Sequence, residues 1–169
     1  MALEVETGTG SATAESYLSV ADYRAYWTAR GVDTASSTDA QVEVALRAAT
    51  QYLDAVYTGR WKGERATTAQ RLDFPRLGVL LDGVLQNASP LPRNLREATA
   101  ELARRHLTDT TGLLPDTGTK RDVVQESTTV GEITTSATYA GTKPTTKKFA
   151  IVEMLLGRLL WPTQRAVRA

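Results

Sequence analysis

The stretch TDAQVEVALRAATQYLDAVY (Thr38–Tyr57) carries the clearest secondary-structure signal in the chain. A threonine followed three residues later by a glutamine is the capping-box pattern that begins helices. Apolar side chains then recur at alternating steps of four and three residues, which places them on one helical stripe: Val42, Leu46, Ala49, Leu53 and Val56. The spacing predicts an amphipathic helix over about 39–57.

Three further helices are predicted around this one. Ser19 begins a pattern similar to a capping box and Gly31 supplies a stop, so one helix precedes it. Another is predicted over about 92–109, because proline suits the first helical position. The last is predicted over about 147–160. Its apolar face is so wide that the helix either lies centrally in the core, which is favoured, or is shared with a partner.

β structure is predicted mainly in one segment. RDVVQESTTVGEITTSATY (121–139) is rich in valine, isoleucine, threonine and tyrosine. This composition predicts two strands, about 121–128 and 131–139, paired as a hairpin. A short strand or turn is expected at 79–85. The fold class is therefore mainly α, with about four helices and a β-hairpin.

The length of 169 residues fits one ordinary domain that can bury a core without disulfide bonds. No composition shift or repeat divides the chain, so 1–169 is predicted to be a single domain. Residues 1–18 are rich in glycine, threonine and serine and predict an extended arm. Residues 161–169 are left as a short basic tail.

The residue inventory excludes several kinds of chemistry. Cysteine is absent and His106 is the one histidine, so no thiol nucleophile and no ordinary zinc site is expected. The first residues show no export signal, and no apolar run approaches the ~20 residues of a membrane span. His106 is expected to be a half-buried, hydrogen-bonded side chain rather than a general base.

Two short motifs resemble catalytic ones. GTGS (8–11) lacks the Gly-Lys-Ser/Thr of a phosphate loop. DTGT (116–119) follows a proline that interrupts the strand an aspartic protease would need. We therefore expect no catalytic, cofactor-binding or metal-binding residue, and we expect that the protein is not an enzyme.

Charge is unevenly distributed although the net charge is only +1. Residues 1–59 carry three basic and eight acidic side chains, a net charge of −5. Residues 60–120 and 121–169 each carry a net charge of +3. Such polarity is compatible with two different partners, with head-to-tail packing of identical subunits, or with a random surface distribution.

The segment RWKGERATTAQRLDFPR (Arg60–Arg76) holds five basic residues beside Trp61 and Phe74. Cations interleaved with aromatic rings are typical of single-strand binders, which stack bases on the rings. Two rings thirteen residues apart, with Glu64 and Asp73 among the arginines, also fit a folded loop. In that interpretation, which is favoured, the rings are buried anchors and the arginines form ion pairs within or between subunits.

Three segments, in this order and spacing, resemble a known family: ETGTGSATAESYLSVADYRAYWTARG (6–31), ALRAATQYLDAVYTGRWKGERATTAQRLDFPR (45–76) and PLPRNLREATAELARR (90–105). The family is that of the tailed-phage head–tail connector adaptors, or head-completion proteins, often labelled "putative DnaT-like single-stranded-DNA-binding protein". The resemblance covers nearly the whole chain and is weakest at 113–148. Phe74 stands where the family usually has tryptophan.

The resemblance implies a connector-like adaptor fold assembled as a ring, commonly of twelve copies, beneath the portal. Such a ring extends the DNA channel and links the head to the tail or neck. The implied partners are the portal protein, a downstream neck, stopper or tail protein, and further copies of the chain. Double-stranded DNA would pass through the lumen without sequence-specific binding, and no membrane is involved. The implied location is the virion neck, after assembly in the host cytoplasm.

The resemblance also implies which residues dock on the portal, because related adaptors use their C-terminal helix and tail. By position these are Trp161, Pro162, Thr163, Gln164, Arg165, Val167 and Arg168. The alternative function is that of a single-stranded-DNA-binding accessory protein that uses the loop 60–76. Its DNA contacts would be Arg60, Lys62 and Arg65.

Overall fold

A computed structural model of the 169-residue chain describes residues 3–109, 112–113, 123–129, 134–139 and 147–162. The chain divides into two compact units, Met1–Leu113 with Lys148–Ala169, and Leu114–Lys147. The single domain 1–169 remains a prediction. The DTGT motif and most of the basic tail lie outside the described residues.

The described part contains four helices: α1 (Val20–Thr28), α2 (Asp39–Tyr57), α3 (Arg93–Thr108) and α4 (Ala150–Leu156). It also contains three antiparallel strand pairs: β1 (Glu64–Arg65) with β2 (Arg76–Leu77), β3 (Leu80–Leu81) with β4 (Val84–Leu85), and β5 (Val123–Thr129) with β6 (Thr134–Tyr139). The mainly α class is confirmed. None of the described helices is long and apolar enough to cross a membrane.

The first two helices begin at the caps that the sequence predicts. The Ser19 side chain accepts a hydrogen bond from the backbone N–H of Asp22. At α2 the capping box is complete, because Thr38 and Gln41 bond each other's backbone N–H groups. The predicted bounds of α2 are confirmed. Both caps satisfy N–H groups that a helix start otherwise leaves without partners.

The last two helices differ from prediction at their ends. Pro92 is the N-cap of α3, so the helix begins one residue later than expected. The segment predicted as a helix over 147–160 is helical only over Ala150–Leu156. Beyond it, Leu160 forms an antiparallel bridge with Trp61. The chain leaves the helix because its backbone groups pair with the loop after α2 instead.

The core of the first unit lies where α2 packs on α3 and α3 packs on α4. Eight side chains of α2 are buried: Val42, Ala45, Leu46, Ala49, Thr50, Tyr52, Leu53 and Tyr57. The wide apolar face of α4 is divided between two environments. Val152 and Leu156 are fully buried, whereas Met154 is 76% exposed. Both alternatives for this helix therefore have a structural basis, since one side lies in the core and Met154 on the other side is largely exposed among the described residues.

The arm is anchored by a carboxylate enclosed in its own backbone. Glu6 is buried, and its side chain accepts four backbone hydrogen bonds of 2.8–3.0 Å. The donors are the N–H groups of Gly8, Thr9, Gly10 and Ser11. The GTGS motif therefore forms an anion nest, as a phosphate loop does, but the occupant is the chain's own Glu6.

Gly8 has a further reason to be glycine. Its φ is +103°, and a Cβ there would lie 2.5 Å from the carbonyl oxygen of Ala88. The neighbouring Ser89 hydroxyl donates to the carbonyl oxygen of Thr7 at 2.9 Å. The nest thus packs directly on the loop before α3.

The second unit contains the pair β5–β6. Its register places Val123 opposite Tyr139 and Thr129 opposite Thr134, with one irregularity between Val123 and Gln125. The hairpin predicted within 121–139 is confirmed, with strand bounds shifted by at most three residues.

Candidate functional site

The aromatic rings of the loop 60–76 face the core. Trp61 is 2% exposed and Phe74 is 1% exposed, which confirms that they are buried anchors. Their ring centroids lie 5.0 Å apart in an edge-to-face arrangement, and Tyr57 lies 5.8 Å from Trp61 on another side. Rings placed in this way cannot stack on nucleic-acid bases without unfolding the loop.

The loop cations bind backbone oxygens. The Arg65 guanidinium donates to the carbonyl oxygens of Gln70 and Leu72. Arg76 donates to the carbonyl oxygens of Lys62 and Gly63, at 2.9 and 2.7 Å. Within the described chain Arg65 and Arg76 therefore bind carbonyl oxygens, and ion pairs between subunits stay a prediction. The five N–H groups of a guanidinium suit an irregular loop, whose carbonyls lack ladder partners.

The remaining loop cations are less constrained. Arg71 lies 3.8 Å from the Glu15 carboxylate, a loose ion pair. The Arg60 guanidinium lies 5.5 Å from the Tyr57 ring centroid, and its buried Nε has no hydrogen-bond partner in the described part of the chain. The Lys62 ammonium donates to a backbone carbonyl oxygen of the C-terminal segment.

A buried polar cluster joins this loop to the arm and to α2. The Asp54 carboxylate accepts from the Tyr17 hydroxyl at 2.5 Å and from the Asp73 N–H at 3.3 Å. The Phe74 N–H donates to the Tyr17 hydroxyl oxygen at 3.1 Å. Burial raises the pKa of Asp54 to about 6 and raises the pKa of Tyr17 well above its usual value. The negative charge of Asp73 raises both pKa values further. The positive charge of Arg65 partly opposes the rise in the pKa of Asp54.

This cluster predicts a pH-dependent stability. Folded Asp54 holds its proton more tightly than in the unfolded chain, where its pKa is 3.8. Its contribution to the free energy of unfolding should therefore fall by about 2–3 kcal/mol as pH rises from about 4 to 6, and stay constant above. Asp54→Asn should remove this slope. Urea unfolding between pH 4 and 7.5 measures it, and parallel curves for the two proteins would contradict the assignment.

The two sets of candidate residues lie together. The Lys62 N–H donates to the Leu159 carbonyl oxygen at 2.9 Å, and the Trp161 N–H donates to that of Arg60 at 2.7 Å. The Lys62 ammonium donates to the Arg158 carbonyl oxygen at 2.8 Å and lies 5.9 Å from the centroid of the Trp161 ring. The predicted DNA contact Lys62 and the predicted portal contact Trp161 therefore belong to one surface.

We call this the tail-exit surface and define it by Lys62, Arg158 and Trp161. Trp161 is 58% exposed, and Arg158 is also exposed. Pro162 is exposed as well, whereas Thr163, Gln164, Arg165, Val167 and Arg168 lie outside the described residues. The surface combines apolar area with two cations, residue types that protein interfaces use as anchors.

The β3–β4 hairpin adjoins this surface through an ion pair of 2.7 Å between Asp82 and Arg158. Asp82 and Gly83 both have positive φ, as a two-residue hairpin turn requires. More than half of each of Leu80, Val84 and Leu85 is exposed. An Asp-Gly pair between apolar residues is a sequence pattern that predicts a hairpin. The exposure of the apolar side chains of this hairpin was not predicted.

His106 is half-buried, as predicted, but among the described residues its Nδ1 has no hydrogen-bond partner. The expectation of a hydrogen-bonded histidine is therefore not met at this nitrogen. Among the described residues, no group of three or more histidine, aspartate or glutamate side chains could hold a metal ion.

The chain belongs to the family described as "Putative DnaT-like ssDNA binding protein", whose model matches residues 1–169. No curated protein matches the chain. No solved structure matches it either.

Proposed function

We propose that the protein is a structural head–tail connector adaptor of a tailed phage, a ring-forming subunit that docks beneath the portal without performing bond chemistry. The observation that carries the proposal is the tail-exit surface. Trp161 is a large apolar side chain left 58% exposed next to Lys62, whose ammonium also binds the Arg158 carbonyl oxygen. Such a surface is costly to leave in water and suits a protein partner.

The geometry of the loop supports the same proposal. A loop built to bind single-stranded DNA would present its rings and cations to solvent. Here both rings are buried, and Arg65 and Arg76 hold the loop's own carbonyls. The loop 60–76 instead positions residues 158–161, which directly precede the basic tail in the sequence.

Electron microscopy of the protein mixed with its cognate portal tests the proposal. We expect a ring stacked on the portal, lost when residues 163–169 are deleted and weakened about tenfold or more by Trp161→Ala. The deletion keeps Trp161, whose N–H bonds to Arg60, so the fold is preserved. Ala21→Asp, at an exposed site on α1, is the control. Failure to form any ring on the portal would refute the adaptor.

The family description favours a second candidate, a single-stranded-DNA-binding accessory protein. Fluorescence anisotropy with labelled oligonucleotides separates the two. The adaptor should show weak, sequence-independent binding. Tight binding that falls steeply with salt and is lost in Lys62→Ala, but kept in the exposed control Lys148→Ala, would favour the second candidate. Arg65→Ala is a poor probe because it also releases the carbonyls of Gln70 and Leu72.

A further inference from the structure

A small pocket lies on the first unit, where the start of α1 and the start of α3 come together. It has a volume of about 200 Å³ and is lined by six side chains: Leu18, Asp22, Tyr26, Arg93, Arg96 and Glu97. A cavity of about 150 Å³ holds one benzene-sized group, so this pocket has room for one small molecule. Its lining carries two charges of each sign, and their pairing within the chain decides what the pocket can bind.

Two of the four charges neutralise each other. The Arg93 Nε donates to the Glu97 carboxylate at 2.8 Å. Arg30, just after α1, lies 3.7 Å from the same carboxylate. The Glu97 side chain is only 16% exposed. The acceptor capacity of Glu97 is therefore used within the chain, and this pair does not select a ligand.

The other two charges have no ionic partner within the described part of the chain. Neither Asp22 nor Arg96 takes part in any of the ion pairs of those residues. The Asp22 carboxylate accepts from the neutral Ser19 hydroxyl at 2.8 Å. The Arg96 Nε is buried and has no hydrogen-bond partner among the same residues. A buried donor without an acceptor is destabilising, and a bound anion is one of its ordinary explanations.

The remaining wall of the pocket is apolar and held in place. Leu18 is buried, and Tyr26 is half-buried. The Tyr26 hydroxyl donates to the Glu101 carboxylate at 3.0 Å, and the Arg30 guanidinium lies 3.4 Å from the centroid of its ring. Because these contacts fix the ring before a ligand arrives, binding need not order it. The pocket thus offers one unpaired charge of each sign beside an apolar wall.

We propose that this pocket binds a small zwitterion of the α-amino-acid class with an aliphatic side chain. The ligand carboxylate pairs with the Arg96 guanidinium, and the ligand ammonium pairs with the Asp22 carboxylate. The aliphatic side chain contacts Leu18 and Tyr26. A simple anion is repelled by Asp22 and a simple cation by Arg96, so the lining selects a ligand that carries both charges. The inference goes beyond the adaptor function and does not depend on it.

Valine and its two single-charge analogues test the proposal on the full-length chain. Isovalerate is valine without the ammonium group, and isobutylamine is valine without the carboxylate. Titrations followed by amide chemical shifts in NMR spectra compare the three. We expect valine to bind with a Kd of the order of 1 mM, and each analogue to bind about tenfold or more weakly.

Three results of these titrations would overturn the proposal. Isovalerate binding as tightly as valine would show a simple anion site. Isobutylamine binding as tightly as valine would show a simple cation site. Absence of saturable valine binding would show that the pocket holds no such ligand.

Two variants locate the bound ligand. Asp22→Asn and Arg96→Gln each remove one charge with little change in size, and each should weaken valine binding about tenfold or more. Lys148→Gln, at an exposed position outside the pocket, is the matched control and should leave the Kd unchanged. Thermal unfolding checks that all three variants are folded. Unchanged valine binding in either pocket variant would contradict the assigned contacts and overturn the proposal.

Discussion

Replacing Trp61 with alanine is expected to lower the free energy of unfolding by about 3–5 kcal/mol, a large share of the ~5–15 kcal/mol of a typical domain. The indole is 2% exposed and packs against Phe74 and Tyr57. Its Nε1 also donates to the Asp73 carboxylate at 3.1 Å, so the truncation removes a hydrogen bond to a charged group as well as core volume.

The chain offers a matched control for this variant. Trp161→Ala makes the same chemical change at a side chain that is 58% exposed, and it should alter stability by less than about 1 kcal/mol. Guanidinium unfolding followed by circular dichroism compares the two. Equal losses in both variants would show that Trp61 does not anchor the loop.

Glu6→Ala is expected to lower the free energy of unfolding by about 3 kcal/mol or more. This effect is much larger than expected for a substitution in an extended N-terminal arm. The substitution leaves four backbone N–H groups without their acceptor, and each buried unpaired donor carries a penalty of about 1–3 kcal/mol. Relaxation of the arm into water limits the sum. Thermal unfolding measures the loss.

Glu4→Ala is the control for this second variant, because Glu4 is exposed and its carboxylate accepts from the exposed hydroxyls of Ser11 and Thr13. Glu4→Ala should lower the free energy of unfolding by less than about 1 kcal/mol. Formate, at constant ionic strength, should partly restore the melting temperature of Glu6→Ala by occupying the nest. A Glu6→Ala protein as stable as Glu4→Ala would contradict the role of the nest.

The helices could be predicted because their signals are local. The capping box at Thr38, the cap at Ser19 and the apolar stripe of α2 act within a few residues of each other, so spacing alone identifies them. The end of α4 could not be predicted in this way. Leu160 leaves the helical path because it pairs with Trp61, a contact that depends on the folded chain.

The candidate site shows the same division. Burial of Trp61 and Phe74 followed from the mixed charge and few aromatics of the loop. The hydrogen bonds of the loop could not be predicted from the sequence. Arg65 and Arg76 donate to backbone carbonyl oxygens, which every residue has, so no sequence pattern indicates which of them are bound. The enclosure of Glu6 could not be predicted for a similar reason, because the groups that donate hydrogen bonds to its carboxylate are backbone N–H groups.

The bridge between the loop and the C-terminal segment has a genetic consequence. Lys62 and Arg158 are 96 positions apart in the chain yet share a hydrogen bond. Residues in direct contact influence each other's mutational effects, whereas distant ones act independently. Substitutions that damage the loop should therefore be suppressed by second-site substitutions at positions 158–161. A screen for suppressors would then identify the two segments as one functional unit.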